Sequence, residues 1–440
     1  MSDASMEKIV SLCKRRGFIY QGSEIYGGLA GTWDYGPMGV ELKNNIKQLW
    51  WKMFVQERDD MYGMDAAILM HPRVWEASGH VSGFSDPLVE CTKCKKRFRE
   101  DHLEDKAKCP DCGGKLGEAR QFNMMFKTHV GATEDATSVS YLRPETAGGM
   151  FVNFKNVMDS FHPKLPFGMA QIGKAFRNEI APRDYTFRSR EFEQMEIEYF
   201  VDPRDAAKVD ETFDKLFDEQ MAFLKKIGLS ESKIHKIDVP DSDRAHYSKR
   251  SVDTEYDFPF GQKELLGLAY RTDFDLKAHS ETSKVELTYF DEEAKERFTP
   301  HCIEPTFGVD RLVLAVLSDV YREEGEGDDM RVYLAFPEGV APVKAAVFPL
   351  LKNKPELVAK AREVYLAVKK EIPQIMWDDN GNIGKRYRRQ DEIGTPVCVT
   401  IDFDTLGESG DEKKDTVTVR NRDTGEQERV AIAELVSRIR

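Results

Sequence analysis

The chain has 440 residues, of which 40% are apolar and 32% charged, with 31 glycines and 19 prolines. At roughly 150 residues per domain this length predicts about three domains, and the composition excludes a disordered or fibrous chain. The 64 basic and 77 acidic residues give a net charge of −13, which argues against general binding to nucleic acid through overall positive charge.

The amino-terminal segment has no apolar core of the kind that a signal peptide needs. No stretch approaches the roughly 18 consecutive apolar residues of a membrane-spanning helix. We therefore expect a cytoplasmic protein that has no membrane partner.

The first predicted helix covers residues 40–53, where large apolar residues recur at spacings of three and four. A Lys- and Cys-rich island follows over 91–120 and has too few apolar residues for a core of its own. Strand-like alternation then dominates 171–200 and 253–306. The middle of the chain is therefore expected to be rich in strands.

A long helix is predicted between these strand regions, from the Asp202-Pro203 start signal to Gly228. Its apolar stripe is interpreted as core packing rather than as a groove for a partner. Another helix is predicted to begin near Val309. After the acidic run 323–329 the pattern becomes strand, helix (355–371), strand, loop, strand and helix (430–440), which indicates a separate small α/β domain and a boundary at 322–331.

Four of the seven cysteines form a C-x2-C-x14-C-x2-C pattern: Cys91, Cys94, Cys109 and Cys112. This spacing predicts a structural zinc ion held by four thiolates, and the alternative is four reduced surface thiols. A catalytic zinc would keep an open coordination position, so no chemistry is assigned to this site. His102 is a conceivable substitute ligand, but a solvent-facing histidine is the simpler interpretation.

Residues 171–180 and 191–199 are predicted to pair as an antiparallel hairpin. Because side chains alternate along a strand, one face collects Arg177, Glu179, Phe192, Gln194 and Glu196. A solvated sheet face is one interpretation of this set. However, an aromatic ring can stack on a base, an arginine can hold a phosphate, and a glutamate can accept from an exocyclic amine, which together favour ATP.

Arg311 follows the strand-like segment 304–308 and lies near the start of the next predicted helix, where backbone amides and the helix dipole favour anions. Alone it could be an ordinary ion-pair residue. With Arg177 and Arg188 it could form a guanidinium clamp around a triphosphate.

These residues resemble motifs 2 and 3 of the class II aminoacyl-tRNA synthetases: Arg177, Glu179, Arg188, Phe192 and Glu196 match motif 2, and Gly308 to Arg311 match motif 3. Longer strings narrow the resemblance to the dimeric glycyl-tRNA synthetase family, and it spans nearly the whole chain. The strings are KRRGF (14–18), SEIYGG (23–28), WDYGP (33–37), RQFNMMF (120–126), RPETA (143–147) and RTDFDL (271–276). Motif 1 departs from the family pattern, with Ala66 and Ala67 where a proline is usual.

The resemblance implies an α+β fold: a six-stranded antiparallel sheet flanked by helices, a zinc-ribbon-like insertion and a C-terminal α/β anticodon-binding domain. It also implies a homodimer built around motif 1. The domains expected on this basis are 1–90 (first part of the catalytic domain, with motif 1), 91–120 (zinc-knuckle insertion), 121–325 (catalytic domain with motifs 2 and 3 and a helical insertion at about 203–250) and 331–440 (anticodon-binding domain).

The implied function is a glycine-tRNA ligase that uses ATP with Mg²⁺, glycine and tRNA(Gly). Arg177 and Arg311 are the expected catalytic residues. The expected ATP-binding set is Arg177, Glu179, Arg188, Phe192, Glu264 and Arg311, and the expected glycine-binding set is Glu145, Glu196, Glu304 and Thr306. Glu264, with Asp273 nearby in sequence, is the candidate ligand of Mg²⁺.

The densest basic run of the last domain, 384–390, contains Lys385, Arg386, Arg388 and Arg389. A solvated helix face is the simpler interpretation, but in an anticodon-binding domain these side chains are expected to contact tRNA phosphates. Two other functions stay open: a class II synthetase for another small amino acid, and a non-catalytic synthetase paralogue that binds RNA.

Overall fold

The structure is a computed structural model that describes residues 5–135, 137–245, 247–327 and 330–439. Within these ranges no helix combines the length and the apolar character needed to cross a membrane. The first elements are α1 (Met6–Arg16), β1 (Ile19–Gln21), β2 (Trp33–Tyr35), α2 (Pro37–Trp51) and β3 (Met61–Gly63), with a π-helical turn at Lys52–Gln56 between α2 and β3.

Helix α2 confirms the helix predicted over 40–53, although it starts three residues earlier. Pro37 occupies its first turn, where the missing N–H is not needed and the fixed φ already suits a helix. Leu42, Ile46 and Trp50 on one side of α2 are fully buried. The predicted amphipathic pattern is therefore the core-facing side of this helix.

A small module and the elements around it come next. They are α3 (Arg73–Ala77), α4 (His80–Gly83), β4 (Ser85–Glu90), β5 (Arg97–Arg99), β6 (Arg120–Asn123), β7 (Lys127–His129), β8 (Val139–Tyr141) and α5 (Ala147–Phe161). Strands β5, β4 and β6 form a three-stranded sheet with β4 in the centre. This sheet carries the cysteine island.

The large central sheet contains β9 (Phe167–Phe176), β10 (Glu191–Val201), β11 (Ile234–Asp238), β12 (Arg250–Phe258), β13 (Gly261–Thr272) and β16 (His301–Gly308). The strand order is β11-β12-β13-β16-β10-β9-β3. The first six strands are antiparallel, as expected, and β3 adds a seventh strand that runs parallel to β9. The predicted hairpin is also confirmed, with Glu191 opposite Phe176 and Glu196 opposite Gln171.

Two helices pack on the back face of this sheet together with α2: α6 (Ala206–Lys226) and α8 (Val309–Val320). In α6, Val209, Phe213 and Leu216 are buried, so its apolar stripe is core packing, as predicted. The chain leaves this helix through Gly228, whose φ of +93° suits a residue without a side chain. The start of α8 at Val309 also agrees with the sequence.

The strand pattern predicted over 253–306 is interrupted by α7 (Phe274–Ser283), and the short strands β14 (Tyr289–Asp291) and β15 (Glu296–Phe298) follow it. Helices α5 and α7 cover one end of the front face of the sheet, where Met169, Phe200 and Leu276 share a core. The other end of the front face carries the polar side chains described below. The helix was missed because its buried face includes Asp275 and His279 rather than an apolar stripe.

The last part of the chain contains β17 (Tyr321–Glu324), β18 (Arg331–Leu334), β19 (Ala345–Pro349), α9 (Pro355–Glu371), β20 (Ile375–Trp377), α10 (Ile383–Ile393), β21 (Val397–Ile401), β22 (Thr416–Asn421), β23 (Gln427–Ala431) and α11 (Leu435–Ile439). Strands β19 to β23 form a second sheet, β20-β19-β21-β22-β23, with its own hydrophobic core. Helix α9 matches the helix predicted over 355–371.

Two predictions for this part were wrong in detail. The predicted loop contains α10, and the helix expected over 430–440 is reduced to α11 because β23 takes up Gln427–Ala431.

The proposed boundary at 322–331 falls on the β17–β18 hairpin, in which Tyr321 pairs with Leu334 and Glu324 with Arg331. Residues 328 and 329 of that boundary lie outside the described residues.

Candidate functional site

Arg177 lies directly after β9 and is oriented by its surroundings. Its Nε donates a hydrogen bond of 3.1 Å to the carbonyl of Pro144. Its guanidinium carbon lies 5.4 Å from the ring centre of Phe84 and 5.2 Å from that of Phe192. The structure therefore brings together the predicted arginine and the predicted aromatic ring on the front face of the sheet.

Glu179 and Arg188 lie in the loop that joins β9 to β10. Glu179 is 8% exposed, and its Oε2 has no hydrogen-bond partner among the described residues. The same holds for Nη1 of Arg188, which is also buried. Unpaired buried polar atoms are costly in a folded protein, so an acceptor and a donor left without partners in one loop indicate a place for a polar ligand.

Arg311, in the first turn of α8, reaches over the front face. Its Nη1 lies 3.0 Å from the carbonyl oxygen of Glu264 and 3.2 Å from the Glu264 carboxylate. Its guanidinium carbon lies 4.4 Å from the ring centre of Phe187. Arg311 and Glu264 are therefore neighbours, and the half-exposed Glu264 carboxylate remains accessible.

Two further carboxylates accompany Glu264. Glu255 on β12 pairs directly with Glu264 on β13, and Asp253 precedes it on the same side of the strand. Burial, together with the charges of Glu264 and Glu255, raises the pKa of Asp253 to about 6. This concentration of negative charge beside Arg311 was not predicted from the sequence, because strand pairing brings the residues together.

The position of Asp273 differs from the one that the sequence suggested. It follows the last residue of β13, whereas Glu264 lies near its start, so at about 3.3 Å per strand residue the two are roughly 30 Å apart. Its carboxylate faces Lys277 at 2.6 Å and His301 at 3.7 Å. Asp273 therefore does not join Glu264 and Arg311, and it is removed from the candidate Mg²⁺ ligands.

Arg271, which is 3% exposed, is the central cation of a second cluster on the front face. Its Nη1 lies 2.5 Å from Glu304, and its Nε and Nη2 lie 2.8 and 2.9 Å from the two carboxylate oxygens of Asp275. The guanidinium also lies over the ring of Tyr247, at 4.1 Å. One buried cation is thus shared by two carboxylates.

The remaining predicted glycine-site residues surround this cluster. Glu196 accepts hydrogen bonds from the Thr306 hydroxyl at 3.1 Å and from the Thr146 amide at 3.1 Å, and a further one from the Thr146 hydroxyl. Glu145 lies 3.4 Å from the imidazole of His80. The register that places Glu196 opposite Thr306 also puts Glu198 opposite Glu304, so two buried carboxyl groups face each other on adjacent strands.

The charge states in this pocket follow from burial and crowding. Burial raises the pKa of Glu304 to about 8. The charge of Arg271 lowers this pKa, whereas the charges of Glu196 and Glu145 raise it further. Burial and the charge of Glu145 raise the pKa of Glu196. Burial also acts to raise the pKa of Glu145, but His80 and the charges of Arg271 and Arg177 outweigh it and lower this pKa to about 2. The pocket therefore holds more carboxyl groups than its own cations neutralise, and it favours an added cation.

Sequence reasoning missed Arg271, Asp275, His80 and Glu198 as members of this pocket. Arg271 and Asp275 could have been paired from the RTDFD string, because an arginine and an aspartate four residues apart lie on either side of a helix start there. Strand alternation places Glu198 on the same face as Glu196, but that placement alone gives it no role in a site. His80 carries no such signal, because it comes from a separate short helix.

The four cysteines of the small module converge. Their Sγ atoms lie within 4.8 Å of one another, with Cys91 to Cys112 at 3.6 Å and Cys94 to Cys109 at 3.7 Å. Four thiolates at about 2.3 Å from a tetrahedral zinc ion would be about 3.8 Å apart, so the residues fit this metal. His102 is not part of the cluster.

Helix α10 carries the basic run of the last domain, but its four cations differ. Arg386 is 1% exposed and donates to the backbone carbonyls of Pro349, Asp379 and Gly381. Arg389 forms a two-pronged ion pair with Asp378. Lys385 and Arg388 are exposed. The prediction of a phosphate contact was therefore wrong for Arg386, whose charge is used inside the domain.

Two family models match this chain. Residues 126–320 match the tRNA synthetase class II core domain (G, H, P, S and T), and residues 344–440 match the anticodon binding domain. The fold is therefore that of a class II aminoacyl-tRNA synthetase.

Similar curated proteins narrow this class. A glycine–tRNA ligase of Treponema denticola is 51% identical over 99% of this chain and 96% of its own length. Glycine–tRNA ligases of Bacillus anthracis and Alkaliphilus oremlandii are each 49% identical, over 98% and 99% of this chain and 97% and 98% of their own lengths. The chain belongs to the glycine–tRNA ligase family.

Proposed function

We propose that this chain joins glycine to tRNA(Gly) in two steps on the front face of the central sheet. The glycine carboxylate first attacks the α-phosphorus of ATP, which forms glycyl-adenylate and releases pyrophosphate. The 3′-hydroxyl of the terminal tRNA adenosine then attacks the glycyl carbonyl, which forms the ester and releases AMP. The observation that carries this proposal is the buried acidic pocket beside a set of arginines and an unpaired buried carboxylate.

The ATP-binding part comprises Arg177, Glu179, Arg188, Phe192 and Arg311. The unpaired Oε2 of Glu179 supports a role as acceptor for the exocyclic amine of adenine, whose ring would lie against Phe192. The unpaired Nη1 of Arg188 supports a phosphate contact. Arg177 and Arg311 would stabilise the negative charge that develops on the α-phosphate and the leaving pyrophosphate.

Glu264 is the proposed ligand of Mg²⁺, which prefers one or two carboxylates together with phosphate oxygens and water. Its carboxylate is half exposed, and the nearby Asp253 and Glu255 add negative charge that would attract a cation. When bound, the ion would offset the charge of the phosphates. Glu264 itself holds Arg311 over the sheet in the free enzyme.

The glycine-binding part comprises Glu145, Glu196, Glu304 and Thr306, and we add Arg271 as the cation that holds Glu304 in place. The carboxylates would bind the glycine ammonium group. The Thr306 hydroxyl donates a hydrogen bond to Glu196, and its methyl group would occupy the space that a substrate side chain would need. A rigid wall of this kind excludes larger amino acids by overlap, so no editing site is required.

We further propose that the enzyme is a homodimer of the cytoplasm, that residues 331–440 contact the anticodon part of tRNA, and that the four cysteines hold a structural zinc ion. The anticodon contact is supported by the match of residues 344–440 to the anticodon binding domain, and the zinc ion by the four converging cysteines of this chain. The glycine–tRNA ligase relatives favour glycine over another small amino acid as the substrate. The retained Arg177 and Arg311 also argue against a non-catalytic paralogue.

Replacing either Arg177 or Arg311 with Ala is expected to slow glycine-dependent ATP–pyrophosphate exchange by roughly 100-fold or more, because one lost donor in a pre-organised site costs about 3 kcal/mol. Arg204→Ala is the control, since Arg204 pairs with Asp202 and Asp291 at the surface. Near-normal exchange in both active-site variants would contradict the ATP assignment.

Purified protein is expected to contain one zinc ion per chain. Cys109→Ser should lower the zinc content and the stability of the module, as measured by elemental analysis and limited proteolysis, while pyrophosphate exchange persists. Protein prepared without chelators that contains no metal would count against the site.

Neutralising Lys385 and Arg388 together is expected to raise the KM for tRNA and to reduce its salt dependence, by about one unit of slope for each lost phosphate contact. Lys352 and Lys354, two exposed lysines of the same domain, provide the matched control pair. Arg386→Ala should instead lower the unfolding temperature, because it leaves buried carbonyls unpaired. Unchanged tRNA kinetics in the Lys385/Arg388 variant would exclude α10 from the tRNA contact.

A further inference from the structure

The carboxylate of Asp310 is a buried junction on the back face of the sheet. The Tyr35 hydroxyl donates to its Oδ1 at 2.5 Å, and Lys43 Nζ lies 3.4 Å from the same oxygen. The backbone amide of Glu193 donates to its Oδ2 at 2.7 Å. Asp310 therefore connects the first turn of α8 to β2, α2 and β10 at once.

Arg311 is the next residue and projects to the opposite side. Its guanidinium reaches Glu264 and the carbonyl of Phe187 on the front face. Gly308, which precedes α8, provides no side-chain cap for the helix. The groups that bind the Asp310 carboxylate therefore help to fix the first turn, together with the Thr186 hydroxyl that donates to the Asp310 carbonyl, and with it the base of the Arg311 side chain.

Lys43 supplies the charge that balances this junction. It is 5% exposed and lies 2.8 Å from Glu193 as well as 3.4 Å from Asp310. Burial works to lower the pKa of Lys43, but the two carboxylates outweigh it and raise the pKa, so the ammonium group stays charged. Lys47 lies 3.1 Å from the same Glu193, is more exposed and makes no contact with Asp310 among the described ion pairs.

We propose that Lys43 and Tyr35 are positioning residues for the activation of glycine: by holding Asp310, they fix the guanidinium of Arg311 where the phosphates of ATP bind. This inference rests on the proposed role of Arg311 in ATP binding. A displacement of about 1 Å at a group that stabilises a transition state can cost about 100-fold in rate, so anchors outside the site act on the chemistry. The contacts link β2 and α2 to the motif 3 arginine.

The test uses the full chain in ATP–pyrophosphate exchange, with the KM for ATP, the KM for glycine and kcat measured separately. Tyr35→Phe keeps the ring and removes one hydrogen bond, and we expect kcat to fall about threefold or more. Lys43→Met leaves Asp310 without its cation, and we expect a fall of at least about tenfold with a higher KM for ATP. The KM for glycine should change less than about twofold in either variant.

Lys47→Met is the matched control, since it removes a cation from Glu193 without touching Asp310, and all three constants should stay within about twofold of the parent enzyme. The sharpest comparison combines Tyr35→Phe with Arg311→Ala. If Tyr35 acts through Arg311, its replacement should have little further effect once the guanidinium is gone.

A lower unfolding temperature with unchanged kinetic constants would show that the junction is only structural and would overturn the inference. An equal rise of both KM values, or an undiminished effect of Tyr35→Phe in the Arg311→Ala background, would also overturn it. If Lys43→Met does not fold, the isosteric Tyr35→Phe still decides the matter. Full activity of Arg311→Ala alone would instead refute the proposed role of Arg311, on which this inference rests.

Discussion

The buried guanidinium of Arg271 is the interaction on which the acidic pocket depends. Without it, Glu304 and Asp275 would be two buried carboxylates with no cation beside them, and the cost of burying them would be several kcal/mol for each charge. With it, both have a charged hydrogen-bond partner within 3 Å. The remaining excess of carboxyl groups then favours a small cation, which is what the ammonium group of glycine provides.

Strand register explains how this pocket can lie beside the residues that we propose bind ATP. On the front face of β10, Phe192, Glu196 and Glu198 follow one another at intervals of two or four residues, so a stacking ring and an ammonium acceptor lie on one strand. The neighbouring β16 adds Glu304 and Thr306 opposite them. On the proposed assignment, a rigid antiparallel sheet would hold the two substrates at a set separation, which suits a reaction that depends on positioning.

Much of the catalytic sheet could be predicted because its elements have regular patterns. The β9–β10 hairpin, α6 and α8 each repeat at the period of a strand or helix, and Arg177, Phe192 and Glu196 follow from that periodicity. Arg271 was quoted as part of a string but received no role, since a sequence does not show which arginine is buried. The tRNA contact predicted for Arg386 failed for the same reason: in a helix with four basic residues close together, only the contact with Pro349 at the end of β19 shows which one points inward. Asp273 was misplaced because the length of β13 separates it from Glu264.

The most direct measurement is pyrophosphate exchange with glycine, alanine and serine as the amino acid, carried out with the parent chain and with Glu304→Gln. Glu304 contacts Arg271 at the centre of the acidic pocket, so the account predicts that glycine supports exchange, that alanine and serine do not do so appreciably, and that Glu304→Gln raises the KM for glycine far more than the KM for ATP. Exchange with alanine or serine at a rate comparable to glycine, or equal changes of the two KM values, would contradict the account.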